Sequence, residues 1–280
     1  GGVNIILELS SIQLLSFVCQ NESYMKRYFA GFLIVCSFIT VVRAQQPGII
    51  TSPDKKIKVQ CRLDASGQVY YTVHYSNNLV MEPSRLGIVR QDGDFTKNLV
   101  LLSSGGIKKI SEKYTLANSK RRENNYKANC RTIHLKNAAG QLMDIIFQVS
   151  NDGVAFRYFF PGKPGDLKKI DNEITSFHFS GETKAWLQPM SKAKSGWQQV
   201  NPCYEEFYEK EIPVGTPPSL GAGWVFPALF RAGNTWVLIT EAAVDSNYCA
   251  SKLDNVRGQY EYSIAFPDPL EIFPGGANKP

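Results

Sequence analysis

The stretch IKVQCRL, Ile57 to Leu63, alternates Ile57, Val59, Cys61 and Leu63 with Lys58, Gln60 and Arg62. Successive side chains of a strand point to opposite faces, so this period of two predicts a half-buried β-strand. The polar break DASG follows, and then QVYYTVHYS places Val69, Tyr71, Val73 and Tyr75 on one face. Two such runs around a short loop containing Gly67 predict a hairpin. The theme recurs in RTIHLKN, in QLMDIIFQVSNDG and VAFRYFFPG, and in SFHF, TWVLITEA and YEYSIAF. Turns are expected at Gly140 and at Asn151-Asp152-Gly153, and Pro and Gly punctuate Pro161-Gly162, Pro217-Pro218, Gly221 and Gly223. No segment shows a helical period over three turns. Many short strands between turn signals predict an all-β chain, a β-sandwich or barrel with many strands in each of two sheets.

The chain has 280 residues, 43% hydrophobic and 20% charged, an ordinary globular composition. Its net charge is +6, with the basic residues read as scattered. The densest run, Lys120-Arg121-Arg122, meets Glu123 at once and reads as a solvated loop, so no nucleic-acid partner is expected. From Met25 the sequence MKRYFAGFLIVCSFITVVRAQQ puts Lys26 and Arg27 before an apolar run ending in Val42-Arg43-Ala44. That is the order of a secretory signal, and the run falls short of the ~20 residues that span a bilayer. Residues 25–44 are therefore expected to be cleaved, which makes the product periplasmic or secreted with no membrane anchor. Residues 1–24 read as upstream sequence outside the fold. Of the six cysteines, Cys61, Cys130, Cys203 and Cys249 follow the signal. They contain no CxxC for zinc, and free thiols and a disulfide both remain open.

Three histidines, His74, His134 and His178, sit within strand patterns without evident partners. No HExxH, GxSxG or phosphate-binding glycine loop occurs. Trp186, Trp197, Trp224 and Trp236 crowd one window together with Tyr204, Phe207 and Tyr208. Aromatic faces stack on the C–H faces of sugar rings, and they also fill cores. Trp236 in TWVLIT reads as core, whereas Trp186 and Trp197 flank the polar loop LQPMSKAKSG. NPCYEEFYEKEIP, Asn201 to Pro213, gathers Glu205, Glu206, Glu209 and Glu211 in a chain that is otherwise neutral or basic. As one strand it sets Glu205, Glu209 and Glu211 on one face, Glu209 in its solvated part, and Glu206 with Tyr204 and Tyr208 on the other. Such a face is either solvated or bound to a cation; no DxDxDG calcium loop is present.

The segments SPDKKIKVQCRLDASGQVYYTVHYSNNLVMEPSRLGI, NDGVAFRYFFP, KAWLQPMSKAKSGWQQVNPCYEEFYEKEI, FPALFRAGNTWVLITEAAVDSNYCASKL and YSIAFPDP together resemble the N-terminal domain of glycoside hydrolase family 97. The family includes bacterial α-glucosidases and α-galactosidases, many from gut Bacteroidetes. The resemblance runs from about Ile49 to Leu270 and is most specific from Lys184 to Ile212, and the domain is taken as residues 45–270. It implies a β-super-sandwich of the galactose-mutarotase type, followed by a (β/α)8 catalytic barrel. It also implies a calcium ion in the active site of one branch, partly held by a glutamate of the N-terminal domain. Glu205 matches that glutamate, and Glu206 is the next candidate. Trp186, Trp197 and Tyr204 are the candidate contacts to an α-linked oligosaccharide. The catalytic carboxylates belong to the barrel, so no catalytic residue is assigned here. Residues 271–280 read as the start of a linker to it. A free-standing carbohydrate-binding module is the alternative. An epimerase-like enzyme fits less well, because such enzymes use paired histidines and carboxylates. N-terminal sequencing of the exported product is expected to begin at Gln45; a product that retains Met25 refutes the cleaved signal.

Overall fold

The computed structural model describes residues 45–162, 167–192, 206–242, 249–256 and 259–268. Contacts divide the chain into 1–43 and 44–280, and every described residue lies in the second unit. Among the described residues there is no helix, and nineteen strands follow one another. They are β1 (Gln45–Thr51), β2 (Ile57–Leu63), β3 (Val69–Tyr75), β4 (Asn78–Leu86), β5 (Ile88–Arg90), β6 (Gly93–Asp94), β7 (Val100–Ser104), β8 (Lys108–Thr115), β9 (Glu123–Lys136) and β10 (Leu142–Ser150). Then come β11 (Val154–Phe159), β12 (Ile170–Glu173), β13 (Ser176–His178), β14 (Lys184–Ser191), β15 (Glu209–Pro213), β16 (Gly221–Ala232), β17 (Thr235–Ile239), β18 (Lys252–Asn255) and β19 (Glu261–Ala265).

An eleven-stranded sheet runs β1-β2-β3-β4-β13-β19-β18-β16-β14-β15, with β17 also on β16. A five-stranded sheet runs β11-β10-β9-β7, with β8 also on β9, and a small third sheet is β12-β5-β6. All the pairings are antiparallel, so the all-β sandwich expected from the sequence is the fold.

The founding hairpin follows its pattern closely. Ile57, Val59, Cys61 and Leu63 are buried, and Val69 and Tyr71 continue that face from β3. The loop is held by Asp64, whose carboxylate accepts from the Ser66 amide, the Ser66 hydroxyl and the Gln68 amide at 2.7–2.9 Å. Gly67 turns there at φ +74°, and a Cβ would lie 2.4 Å from the Leu99 nitrogen, so glycine alone fits. From β10, Met143, Ile145, Phe147 and Val149 face inward, and the two large sheets share one buried cluster. Tyr71 meets Phe147 and Phe156 at 6.2 and 5.6 Å between ring centroids, and Phe179 stacks on Phe230 at 4.3 Å.

Two expectations change. Gly221 and Gly223 lie inside β16 rather than between strands. Both have positive φ, and β14–β16 pairing slips beside them, so the glycines serve bulges in a continuing strand. Part of the basic charge is also gathered rather than scattered. From Lys127 to Glu123, β9 runs past the end of β10 and keeps only β8 as a partner. This projecting arm, residues 108–127, holds seven Lys/Arg against two Glu, which leaves +5 of the chain's +6.

Phe230 is fully buried between Phe179 and Tyr262. Phe230→Ala is expected to cost about 3–5 kcal/mol in a denaturant titration. A loss below about 1 kcal/mol contradicts this packing.

Candidate functional site

The acidic motif is only partly a strand. Glu205, Tyr204 and Trp197 lie outside the described residues, as do Cys203 and the loop 193–200. Glu206, Phe207 and Tyr208 are irregular, and β15 begins at Glu209. Along β14 the pairing steps from Ala185 to Leu187, while along β15 it steps from Ile212 to Glu209. The extra residue on β15 is a bulge, marked by Glu211 at φ +57°. The bulge breaks the two-residue alternation, so the single carboxylate face expected from the sequence does not form.

The two described glutamates of β15 go separate ways. Glu211 accepts a hydrogen bond from Arg231 Nη2 at 3.0 Å, a partly exposed ion pair. Glu209 is half-buried, and its Oε1 is sealed from solvent with no hydrogen-bond partner among the described residues. It is therefore not the solvated member of the motif.

The tryptophans exchange roles. Trp224 is the fully buried one, its indole N–H donating to Asn255 at 2.8 Å. Trp236 is 53% exposed, contrary to its expected place in the core, because β17 turns Val237 and Ile239 inward and Trp236 and Leu238 outward. Trp186 sits inside β14 rather than at the loop. It lies 4.8 Å from Trp236, and the Arg231 guanidinium is 5.6 and 5.7 Å from the two rings. Glu211, Trp186, Arg231 and Trp236 thus form a ladder across β15, β14, β16 and β17.

Two polar clusters escaped the sequence. His134 Nδ1 lies 2.8 Å from Asp144 Oδ1 across the β9–β10 pair, so this histidine does have a partner. The register of β9 on β10 creates the contact, and ten residues of separation hide it. The second cluster surrounds Tyr158, whose hydroxyl accepts from the Gly87 amide at 2.9 Å and lies 2.6 Å from the Thr175 hydroxyl. Burial, assisted by the Glu241 carboxylate, holds Glu173 above the usual carboxylate range. Glu241 itself accepts from the Ser251 hydroxyl at 2.5 Å. Cys61, Cys130 and Cys249 are free thiols, and burial pushes Cys61 up to about 12.

Among the described residues no three His, Cys, Asp or Glu side chains converge on a metal position. The sealed Glu209 oxygen is a single unused donor, and calcium takes six to eight oxygens. The described residues do not by themselves fit a calcium cage.

A family model described as Glycosyl-hydrolase 97 N-terminal matches residues 50–274. The chain belongs to that family. Its sequence is 26% identical over 234 residues to a probable retaining α-galactosidase of Streptomyces bingchenggensis (strain BCW-1), covering 82% of this chain and 34% of the relative. Its fold matches a crystal structure of a β-arabinopyranosidase with TM-score 0.75 and 38% identity, over 79% of this chain and 35% of that one. A family 97 enzyme from Pseudoalteromonas sp. strain K8, solved with acarbose, matches at TM-score 0.65 and 21% identity, over 78% of this chain and 32% of that one, a likeness of fold. The chain therefore spans about a third of the length of the relatives it matches. The glycosyl-hydrolase 97 N-terminal match begins within β1 and ends beyond β19, so β2 to β19 fall inside the family's domain.

Glu173 yields a pH prediction. Its folded pKa lies above the unfolded value, so its contribution is fully present below the unfolded pKa and is lost as pH rises through the folded one. Glu173→Gln mimics the protonated acid. The variant is expected to match the parent in Tm near pH 4 and to exceed it by a few degrees near pH 8. A constant difference across that range refutes it.

Proposed function

We propose that this chain is the N-terminal domain of an exported glycoside hydrolase and that it completes the active site of a catalytic barrel lying outside these residues. The family match across 50–274 carries the reading, together with relatives about three times as long. On this reading the general acid and the base or nucleophile belong to the barrel, as the family resemblance implies.

The substrate class we favour is the α-galactoside side of the family's range. The two relatives above are named for α-galactoside and β-arabinopyranoside hydrolysis. In its L form, β-arabinopyranose has the ring configuration of α-galactose without the C6 hydroxymethyl group. One site shape therefore serves both sugars, whereas a glucoside inverts the C4 hydroxyl.

Glu205 is the residue we assign to the barrel's calcium, with Glu206 next. A glutamate on the segment that leads into β15 would add one oxygen to donors from the barrel. The ion would orient carboxylates and polarise a bound oxygen. Trp197 and Tyr204, on the same segment, are assigned to the sugar. Trp186 is assigned through the ladder it forms with Arg231 and Trp236. The exposed face of Trp236 favours a second reading, a free-standing carbohydrate-binding module, because an aromatic face needs no barrel to stack on a sugar ring.

The 280-residue chain is expected to show no turnover of aryl α-galactosides or β-arabinopyranosides and no tight calcium site by calorimetry. Turnover, or a calcium site of low-micromolar affinity on this chain alone, overturns the shared-site reading. In an enzyme carrying the domain, Glu205→Gln is expected to weaken calcium binding and activity while leaving the calcium-free Tm unchanged. Equal calcium affinity passes the role to Glu206.

A further inference from the structure

The β8–β9 arm is unlike the rest of the molecule. Its β8 residues are exposed except for half-buried Ile110, and its only strand partner is β9. Its seven cations are Lys108, Lys109, Lys113, Lys120, Arg121, Arg122 and Lys127, and none forms an ion pair among the described residues. Clustered charge of one sign on a projecting element repels itself, and an anionic partner relieves that repulsion.

A groove of about 350 Å³ lies where the arm approaches the Ser150–Asp152 turn. That is within the roughly 300–1,000 Å³ of small-ligand clefts. Tyr114 and Tyr126 line it from one face of the arm, as the register shows: Tyr114 pairs with Asn124, and Glu112 with Tyr126. Tyr126 is fixed by Gln148, whose amide donates to its hydroxyl at 2.8 Å. Arg121 is positioned by Nε donation to Asn124 Oδ1 at 3.0 Å, and the Asn124 amide donates back to the Arg121 and Arg122 carbonyls. Among the described residues the terminal guanidinium nitrogens make no hydrogen bond and can take a ligand. Lys127 borders the lining from the opposite face of β9, next to Tyr126, so Arg121 is the cation on the tyrosine face. The one carboxylate there, Asp152, already accepts from the Ser150 hydroxyl at 2.6 Å.

We infer that this arm binds acidic glycan, with one uronosyl unit seated in the groove between Tyr114, Tyr126 and Arg121. Tyrosine rings take the C–H face of the pyranose and Arg121 takes the carboxylate, while Lys127 and the other cations of the arm hold the carboxylates of flanking units. The cations lie on both arm faces and at the tip, since neighbours such as Lys108 and Lys109 point to opposite sides. A duplex needs one continuous phosphate track, which the arm does not offer, whereas a flexible anionic polysaccharide can wrap both faces. This site is separate from the acidic motif and does not depend on the catalytic reading.

Calorimetric titration of the 280-residue chain with tetragalacturonate, maltotetraose and a thymidine oligonucleotide tests it. Tetragalacturonate is expected to bind, and to weaken several-fold between roughly 50 and 200 mM salt. Maltotetraose is expected not to bind here. Tyr114→Ala is expected to weaken tetragalacturonate about fivefold to tenfold, and the pair Arg121→Glu with Lys127→Glu to abolish it, both at unchanged Tm because these positions lie on the projecting arm. Absent tetragalacturonate binding, or equal binding of maltotetraose, overturns the site. So does oligonucleotide binding as tight as tetragalacturonate with Tyr114→Ala silent, which leaves a general polyanion contact and no sugar seat. Because the readout is binding to this chain alone, it stands whichever way the activity assay falls.

Discussion

Tyr71 carries the constraint on which the sandwich depends. It is buried on β3 in the large sheet and reaches Phe147 and Phe156 of the second sheet. Its phenol donates to the Ser176 carbonyl at 3.0 Å. A buried hydroxyl without an acceptor costs about 1–3 kcal/mol, so this contact fixes where β13 lies as well as how the sheets meet. From β13 the sheet continues through β19 and β18 to β16, and β16 places β14, β15 and β17. The tryptophan ladder and the acidic motif are thus set, strand by strand, from the position of Tyr71.

Local departures from regular pairing then do the functional positioning. The β15 bulge separates Glu209 from Glu211, sending the first to a sealed position and the second to Arg231. Gly223 at φ +101° lets β16 pass Leu253 closely, since a Cβ there would meet the Leu253 carbonyl oxygen at 2.5 Å. Both irregularities lie in the part of the sheet that carries the most family-specific segment. Regular strands build the core, and the slips in register aim the side chains outside it.

Much of the fold was legible because a half-buried antiparallel strand writes its burial into every second residue. Ile57 to Leu63 and Met143 to Val149 show this directly. The arm was not legible. Its β8 is exposed on both faces, so no alternation marks that strand, and its charges appear dispersed until pairing brings Lys108–Thr115 against Glu123–Cys130. Trp236 misled for a related reason. TWVLIT is apolar at nearly every position, and such a run does not say which of its two faces turns outward.

The sequence by itself determined the all-β class, the founding hairpin, the family and the segment that holds the acidic motif. These depend on local periodicity, turn chemistry and residue identity, which are properties of contiguous chain. Tertiary structure alone decided that His134 meets Asp144, that Glu173 and Glu241 lie near one another, that Arg231 joins two tryptophans, and that seven of the basic residues share one arm. Each depends on the register between strands, and register is set by the packing of the whole inward face rather than by any one strand.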